Sequence, residues 1–242
     1  DAFHVEAEAA FLAAAPWRRG RKGKRAGSAL VVGPTRAAEK VLRADGLAVS
    51  TWRRHSDGRA AGRAWPADPA GRGFDVCCLR HPGSADALEY ALNAVASMMK
   101  DGARLWIFGH IQEGVLRARA AAPPLFHCVR KPFGTGDARI VEAVRTAKKP
   151  RQPAEAWVSQ TSVDLGKGPT AWFTVPGLFA GGGLDVMTAL LLDRLGAALP
   201  PGARVLDFGC GSGALAAGLR ARAGAGLTLT LLDADAAALE AA

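Results

Sequence analysis

The sequence has few cysteines and histidines, and their spacing excludes most metal and disulfide sites. Its four cysteines are Cys77, Cys78, Cys128 and Cys210, and no C-x-x-C pair occurs among them. No H-x-x-x-H pair occurs among the five histidines, so the sequence predicts no metal site. This cysteine usage favours reduced thiols in an intracellular compartment.

Long apolar runs are also missing. No run reaches 18 apolar residues, so no transmembrane helix is predicted. The sequence begins at Asp1 without a visible signal peptide. We expect a cytoplasmic protein, or one in an organelle matrix or stroma if a targeting peptide has been removed. A length of 242 residues with 49% hydrophobic and 22% charged residues is typical of a globular protein with room for two domains.

The sequence has fewer acidic than basic residues. The sequence has 31 Lys and Arg against 22 Asp and Glu, a net charge of +9 and a pI near 9.9. This balance favours nucleic acid as a partner, and a basic surface kept for solubility is the alternative. The segment 17–25 is predicted to be a flexible basic arm that contacts phosphates, or else a solvated loop. Its basic residues are Arg18, Arg19, Arg21, Lys22, Lys24 and Arg25.

The most informative stretch runs from Val205 to Gly213, with the sequence VLDFGCGSG. A β-prone start, three alternating glycines and a following Ala/Leu-rich segment predict a strand, a tight turn and a helix. A second strand is predicted over 227–232 and ends at Asp233. The pattern is typical of the first β-α-β unit of a nucleotide-binding sheet, where glycines let a ligand approach the backbone.

The charge of Asp207 helps to decide which nucleotide cofactor the turn would bind. It lies two residues before the first glycine, where a dinucleotide would place its negatively charged pyrophosphate, and like charges repel. S-adenosylmethionine (SAM) instead brings an ammonium group, which a carboxylate attracts. Asp233 follows the glycines at the usual distance for a residue that accepts ribose hydroxyls. SAM is therefore favoured, and a dinucleotide, or a turn that binds nothing, remains open.

The chain before this stretch alternates strands and helices. Residues 28–52 predict a β-α-β unit whose turn, VVGPTRA, has one glycine and a proline and is a poor cofactor cradle. Further strands are predicted over 74–79 and 104–108, with helices over 84–99 and 112–120. This alternation predicts a parallel α/β sheet. An amphipathic helix is predicted over residues 3–15.

A linker and a hairpin are predicted between the two parts of the chain. Pro150 to Pro153 marks the linker, and two β-prone runs around the GKGP sequence of 166–169 predict the hairpin. A glycine run then precedes a helix, and Asp185 is expected at its N-cap. Leu184, Met187, Leu191 and Leu195 are expected to form the buried face of that helix.

Three segments together resemble one enzyme family. Residues 176–192, VLDFGCGSGALA and LLDADAAALEAA are similar to the bacterial ribosomal RNA guanine-N2 methyltransferases that modify small-subunit rRNA. The segment FDVCCLRHPGSADALEYALNAVASMMKDGARLWIFGH has the order of strand, Pro turn, helix and strand of that family's first domain. The resemblance is specific from about Phe173 onward. It implies an α/β fold of tandem class I methyltransferase-like (Rossmann-like) domains, of which the first is degenerate and the second binds SAM.

The resemblance also implies roles for single residues. The glycine turn would line the methionine end of SAM, Asp233 would hold the ribose, and Ala234 would lie beside the adenine. Phe179 and Asp185 would help close the pocket. The residues assigned to the turn are Asp207, Gly209, Cys210, Gly211 and Gly213.

One part of the family pattern is missing. The family's acceptor motif, Asn-Pro-Pro-aromatic, holds the exocyclic amine of guanine and belongs after the fourth strand of the second domain. No N-P-P occurs in this sequence, whose last residue, Ala242, follows the second predicted strand closely. We therefore expect a piece of a longer protein, or else a partner that covers the open strand edge. No catalytic residue is assigned.

The expected organisation is a degenerate methyltransferase-like domain over 1–150, a linker and hairpin over 151–175, and the first part of a SAM-binding domain over 176–242. The complete protein is expected to methylate the exocyclic amine of a guanine in ribosomal RNA with SAM as cofactor. Its expected partner is ribosomal RNA or a ribosomal subunit, without membrane or metal. Two alternatives are a catalytically inactive RNA-binding or structural subunit of a ribonucleoprotein, and an NAD(P)-dependent oxidoreductase.

Overall fold

The fold was described from a computed structural model of the chain. The structure describes residues 2–19, 27–56, 58, 61–65, 73–151, 154–196, 198–223 and 226–242. These residues form two compact units, one of Asp1–Arg53 with Pro66–Pro153 and one of Arg54–Trp65 with Ala154–Ala242. Four of the six predicted phosphate-binding residues, Arg21, Lys22, Lys24 and Arg25, lie outside the described residues.

The first unit is built on a six-stranded sheet. Its strands are β1 (Ser28–Val32), β2 (Ala48–Trp52), β3 (Phe74–Arg80), β4 (Met99–His110), β5 (Phe126–Cys128) and β6 (Ala138–Arg145). Their order in the sheet is β2-β1-β3-β4-β6-β5. The first four strands are parallel, and β6 is antiparallel to both β4 and β5. The predicted α/β fold is thus confirmed for this unit, but the prediction of a parallel sheet was wrong for β6, which makes the sheet mixed.

The helices of the first unit are α1 (Ala2–Ala14), α2 (Arg36–Ala44), α3 (Ala85–Met98) and α4 (Ala118–Ala121). Most apolar residues of α3 are buried, Leu88, Leu92 and Val95 among them. Helix α1 inserts Phe11 into the core, where its ring stacks on Phe108 of β4 with 4.3 Å between the ring centroids. The predicted N-terminal helix is therefore a part of the core of this unit.

Two details of the first unit differ from the sequence prediction. The helix predicted over 112–120 is broken into short 3-10 turns and α4, because Gly114 adopts a left-handed φ of 85°. The helix predicted over 84–99 is one residue shorter at each end, and Asp101 and Gly102, which follow it closely, lie within β4. The helix already ends at Met98, and Met99 adopts an extended conformation. Local composition did not reveal either boundary, since turn residues also occur inside long strands.

The described residues of the second unit form two small sheets and three α-helices. An antiparallel hairpin joins β7 (Ser159–Asp164) to β8 (Pro169–Thr174), as predicted. Strands β9 (Arg204–Phe208) and β10 (Thr228–Leu232) pair in parallel. The helices are α5 (Val186–Leu195), α6 (Ala214–Ala223) and α7 (Ala236–Ala241).

A small apolar cluster holds the hairpin to α5 and α6. Val163 of β7, Leu192 of α5 and Leu219 of α6 are buried together. The prediction for the buried face of α5 was partly wrong, because Met187 and Leu191 are exposed and Leu192 is the buried residue. Helical spacing fits both sets of residues, and the packing partner decides between them. Leu184 and Leu195 pack against the cluster as expected.

None of the described helices combines the length and the apolar character that crossing a bilayer requires. Within the described part of the chain, no group of three or more His, Cys, Asp or Glu side chains is arranged to hold a metal ion.

Candidate cofactor site

The glycine turn lies where the sequence predicts it, between a strand and a helix. Strand β9 ends at Phe208, the turn follows, and α6 begins at Ala214. Asp207 pairs with Leu231 of β10 and Phe208 with Leu232, so Asp207 and Asp233 both lie at the carboxyl ends of the two parallel strands. Ligands of open α/β sheets bind at this edge.

The glycines of the turn are required by the backbone. Gly209, Gly211 and Gly213 have φ values of 77°, 52° and 79°, in the left-handed region where a side chain is strained. A Cβ added to Gly209 or Gly211 would meet no described atom within 4 Å. These two glycines therefore border open space that a ligand could enter, beside the amino end of α6.

Asp207 has a buried carboxyl group, and one of its two oxygens has no hydrogen-bond partner among the described residues. The residue is 8% exposed, and no described residue donates a hydrogen bond to its buried Oδ2 atom. Burial raises the pKa of its carboxyl group above the ordinary value, and the nearby charge of Asp233 raises it further, against a smaller opposing effect of the Ala216 backbone. A buried anion of this kind is stabilised by a cation or a hydrogen-bond donor.

Asp233 ties the end of β10 to the glycine turn. Its Oδ2 accepts a hydrogen bond of 2.8 Å from the backbone N–H of Gly211. Its Oδ1 accepts one of 2.8 Å from the backbone N–H of Asp235. Each carboxylate oxygen has a second lone pair, so Asp233 retains the capacity to accept hydroxyl groups while it fixes the turn.

A side-chain network that the sequence did not predict supports the turn from the hairpin. Ser212 is 6% exposed, and its Oγ donates to the Gly182 carbonyl at 2.7 Å. The indole N–H of Trp172 on β8 also reaches that carbonyl at 2.7 Å and lies 3.2 Å from Ser212 Oγ. The only signal in the sequence is the position of Ser212 inside the glycine motif.

The remaining residues predicted for the cofactor site occupy different settings. Asp185 is the N-cap of α5, where its Oδ1 accepts the N–H groups of Met187 and Thr188 at 2.9 and 3.2 Å. These bonds, together with one from the Thr188 hydroxyl, lower the pKa of Asp185, the hydroxyl having the largest effect. Phe179 is 77% exposed and Ala234 is exposed, whereas Cys210 is buried inside the turn.

Burial also affects the thiol of Cys210. Its removal from water raises the thiol pKa above the ordinary value, and the charges of Asp233 and Asp207 raise it further. A thiol in such surroundings stays protonated and unreactive at neutral pH. The structure therefore gives Cys210 a packing position in the turn and no role as a nucleophile.

The two described basic residues of the arm have partners within the first unit. The guanidinium of Arg18 contacts both carboxylate oxygens of Asp45, at 2.6 and 3.0 Å. The guanidinium carbon of Arg19 lies 5.2 Å from the centroid of the Phe133 ring. Arg18 is thus partly neutralised, and Arg19 is the last described residue before position 27.

The corresponding turn of the first unit differs from the glycine turn. After β1 it contains one glycine with positive φ, Gly33, and a Cβ there would lie 2.9 Å from the Cβ of Arg80. The backbone N–H of Ala38, in the first turn of α2, donates to the carboxylate of Glu8 at 3.2 Å. A side chain of the chain itself therefore occupies the helix terminus that could hold an anion.

These features of the second unit fit SAM. The buried Oδ2 of Asp207 can accept a hydrogen bond from an ammonium group, and Asp233 can accept hydroxyls of a ribose. The open space at Gly209 and Gly211 lies beside the amino end of α6, which favours a carboxylate. A dinucleotide would instead place phosphate charges next to Asp207.

The second unit matches a known domain family in its sequence. Residues 170–242 match the family described as Methyltransferase small domain. The chain is 35% identical over 153 residues to ribosomal RNA small subunit methyltransferase C of Pseudomonas fluorescens, an alignment that covers 62% of this chain and 44% of that protein. It is 33% identical over 148 residues to the same enzyme of Stutzerimonas stutzeri, covering 61% of this chain and 43% of that protein.

A solved structure shares the fold of the chain. The T. thermophilus 16S rRNA N2 G1207 methyltransferase, solved in complex with AdoMet and guanosine, superposes with a TM-score of 0.73 at 20% sequence identity. The superposition covers 100% of this chain and 64% of that one. The class I methyltransferase fold predicted from the sequence is thereby confirmed. The chain spans less than half the length of the two curated relatives above.

Proposed function

We propose that this chain belongs to the family of small-subunit ribosomal RNA methyltransferases, and that the complete protein methylates the exocyclic amine of a guanine in ribosomal RNA. SAM is the methyl donor. The observation that carries this proposal within the chain is the buried, unsatisfied Oδ2 of Asp207 beside a glycine turn that borders open space. An ammonium group placed there would satisfy the carboxylate and reduce its repulsion with Asp233.

Each residue of the site has a defined task in this proposal. Asp207 binds the ammonium group of SAM, and the amino end of α6 with the turn amides attracts its carboxylate. Asp233 accepts hydroxyls of the ribose while its bonds to Gly211 and Asp235 hold it in place. Ser212 and Trp172 keep the turn fixed through the Gly182 carbonyl.

SAM supplies a methyl group bound to a positively charged sulfur, which is reactive toward an amine without further activation. The protein therefore has to hold the methyl group and the guanine amine in line, and positioning of this kind contributes a large part of catalysis. A guanine inside a helix must first be exposed for such a reaction. No residue of these 242 is assigned a catalytic role.

The RNA partner and the cellular location of the protein are also proposals. With a net charge of +9, the chain is attracted to the phosphates of RNA. We propose that Arg18, Arg19, Arg21, Lys22, Lys24 and Arg25 contact the RNA of the small subunit, with a smaller contribution from Arg18 because it is paired with Asp45, and that the protein acts in the cytoplasm. The first unit then serves RNA engagement or structural support, as a degenerate methyltransferase-like domain.

The direct test is methyl transfer by the complete protein. Small ribosomal subunits from cells that lack it are incubated with SAM carrying a labelled methyl group. We expect label at the N2 position of one guanine, and no label with the Asp207→Asn variant. SAM binding without any transfer to subunits or free rRNA would contradict the proposal and favour an inactive RNA-binding subunit. A thermal shift with NAD and none with SAM would favour the oxidoreductase instead.

A further inference from the structure

The second unit includes a segment that comes from a distant part of the sequence. Residues 54–65 lie between β2 and β3 along the chain but belong to the second unit. The backbone of this segment is bound to the loop after β10: Ser56 N–H donates to the Ala234 carbonyl at 2.7 Å, and Ala236 N–H donates to the Arg54 carbonyl at 3.1 Å. Ala64 is buried against α7 and Leu178.

Arg54 makes a buried ion pair from this segment. Its Nε and Nη2 atoms donate to the two carboxylate oxygens of Asp235, at 2.7 and 2.8 Å. Its Nη1 donates to the Pro176 carbonyl at 2.5 Å. The side chains of Arg54 and Asp235 are only 11% and 9% exposed. A buried, two-bond pair of arginine and carboxylate fixes both groups in orientation as well as in charge.

Asp235 transmits that orientation to the candidate cofactor site. Its Oδ1 accepts the N–H of Ala237 at 3.0 Å and caps α7. Its own N–H donates to Oδ1 of Asp233, whose other oxygen is bound to Gly211. A continuous series of contacts therefore leads from Arg54 through Asp235 to Asp233 and the glycine turn.

Arg54 also supplies a positive charge next to a group of acidic residues. Asp207, Asp233 and Asp235 all lie at the carboxyl end of β9 and β10, and the charge of Asp233 already raises the pKa of Asp207. Removing one partner of a buried ion pair leaves the other charge uncompensated, which is strongly unfavourable. Without Arg54, the loop of Asp233 to Asp235 would have to rearrange to expose Asp235 to water.

We propose that Arg54 is a positioning residue for the adenosine end of the cofactor, which it controls by holding Asp235 and, through it, Asp233. The assignment rests on the proposed use of SAM by this site. Arg54 touches no part of the ligand in this account. It sets the geometry of the carboxylate that accepts the ribose hydroxyls, as supporting groups behind a binding residue do.

The test compares two neighbouring arginines in the complete protein. Arg54→Ala removes the pair with Asp235, and Arg53→Ala removes a similarly buried arginine whose partner is Glu39 in the first unit. Binding of SAM and of 5′-methylthioadenosine, which lacks the amino acid part, is measured by calorimetry. We expect Arg54→Ala to weaken both ligands by about tenfold, and Arg53→Ala to leave both unchanged.

Further variants keep the test decisive if Arg54→Ala does not fold. Asp235→Asn retains a good N-cap residue for α7 but removes the charge, and it should weaken both ligands as well. Arg54→Lys keeps the charge without the two-bond geometry and should restore part of the affinity. Loss of SAM binding with normal methylthioadenosine binding in Arg54→Ala would overturn the inference, as would unchanged binding of both ligands. Failure of the unaltered protein to bind SAM would instead refute the proposed function.

Discussion

At the residue scale, the buried carboxylate of Asp207 is unfavourable for folding but favourable for binding a cationic ligand group. The carboxylate is buried, one of its oxygens is unsatisfied by the described residues, and its pKa is raised by burial and by Asp233. Ionisation of such a group at neutral pH costs folding free energy. The same features make it a strong site for an ammonium group, so its cost in the free protein is offset when the ligand binds.

The Asp207→Asn variant should therefore be more stable than the unaltered protein without ligand at pH 7. Because the folded protein has the higher pKa, it binds more protons than the unfolded chain in the acid range. The destabilisation by Asp207 is thus present above its raised pKa and disappears as pH falls toward the ordinary value of about 3.9. The difference in melting temperature should shrink in the same direction.

Saturating SAM should reverse the order of the two melting temperatures, since a ligand stabilises only the protein that binds it. The measurement is a series of thermal melts from pH 7 down to about pH 4, with and without SAM. A variant that melts well below the unaltered protein at pH 7 without ligand would show that Asp207 stabilises the fold. Gly211 gives a useful contrast, because its φ of 52° means that Gly211→Ala should lower stability with or without ligand.

At the element scale, the glycine turn depends on contacts from the hairpin. Trp172 on β8 and Ser212 in the turn share the Gly182 carbonyl as acceptor. The turn has few apolar contacts of its own, since Cβ atoms added to Gly209 and Gly211 would meet open space. Part of its rigidity therefore comes from hydrogen bonds that originate about 30 residues earlier in the chain, in addition to the bond between Gly211 and Asp233.

We expect Trp172→Phe to loosen the turn, because it keeps an aromatic ring but removes the indole donor. The loss of one such hydrogen bond costs about 1 kcal/mol. Native-state hydrogen exchange should show faster exchange at the Gly213 N–H, which is bound to the Cys210 carbonyl. Phe173→Leu on the same strand is the control, since Phe173 is 54% exposed. Equal exchange at Gly213 in both variants would disprove the coupling.

Local patterns predicted the elements that local forces determine. The glycine turn, the N-cap at Asp185 and the hairpin all depend on residues within a few positions of each other, and the structure has all three. The helix predicted over 112–120 was wrong in its continuity, because one left-handed glycine is enough to interrupt it. The exposed Met187 and Leu191 show that spacing alone does not select which face of a helix is buried.

The contacts that hold the candidate site in place from distant segments could not be predicted from the sequence. Arg54 and Asp235 are separated by 181 positions in the sequence, and the composition of residues 53–73 indicates only a loop. Nothing near Trp172 points to Ser212 either. These contacts depend on how distant segments meet in the folded unit, and a single sequence contains no signal for that.

At the scale of the whole molecule, the excess of basic residues is the main feature that the cofactor site does not explain. The net charge is +9, and the arm at 17–25 holds the densest group of cations in the sequence. Arg18 is bound to Asp45 within the first unit. The other basic residues of the arm are therefore the better candidates for phosphate contacts.

Replacing Arg21, Lys22, Lys24 and Arg25 by alanine should weaken binding to small-subunit rRNA without changing the affinity for SAM. The affinity for RNA falls as salt rises, so the slope of log affinity against log salt is negative. Each lost phosphate contact should reduce the magnitude of this slope by about one. Filter binding at several salt concentrations measures that slope. The control is Arg18→Ala, which removes a cation that is already paired and should change the slope less. An unchanged slope in the fourfold variant would show that these four residues do not contact the RNA phosphates.

The most direct test of the account is the affinity of the complete protein for SAM with and without the carboxylate of Asp207, measured by calorimetry at pH 7. We expect the unaltered protein to bind SAM and Asp207→Asn to bind at least tenfold more weakly, since a charged hydrogen bond in a buried site contributes roughly 1.5–3 kcal/mol. Equal SAM affinities for the two proteins would contradict the account.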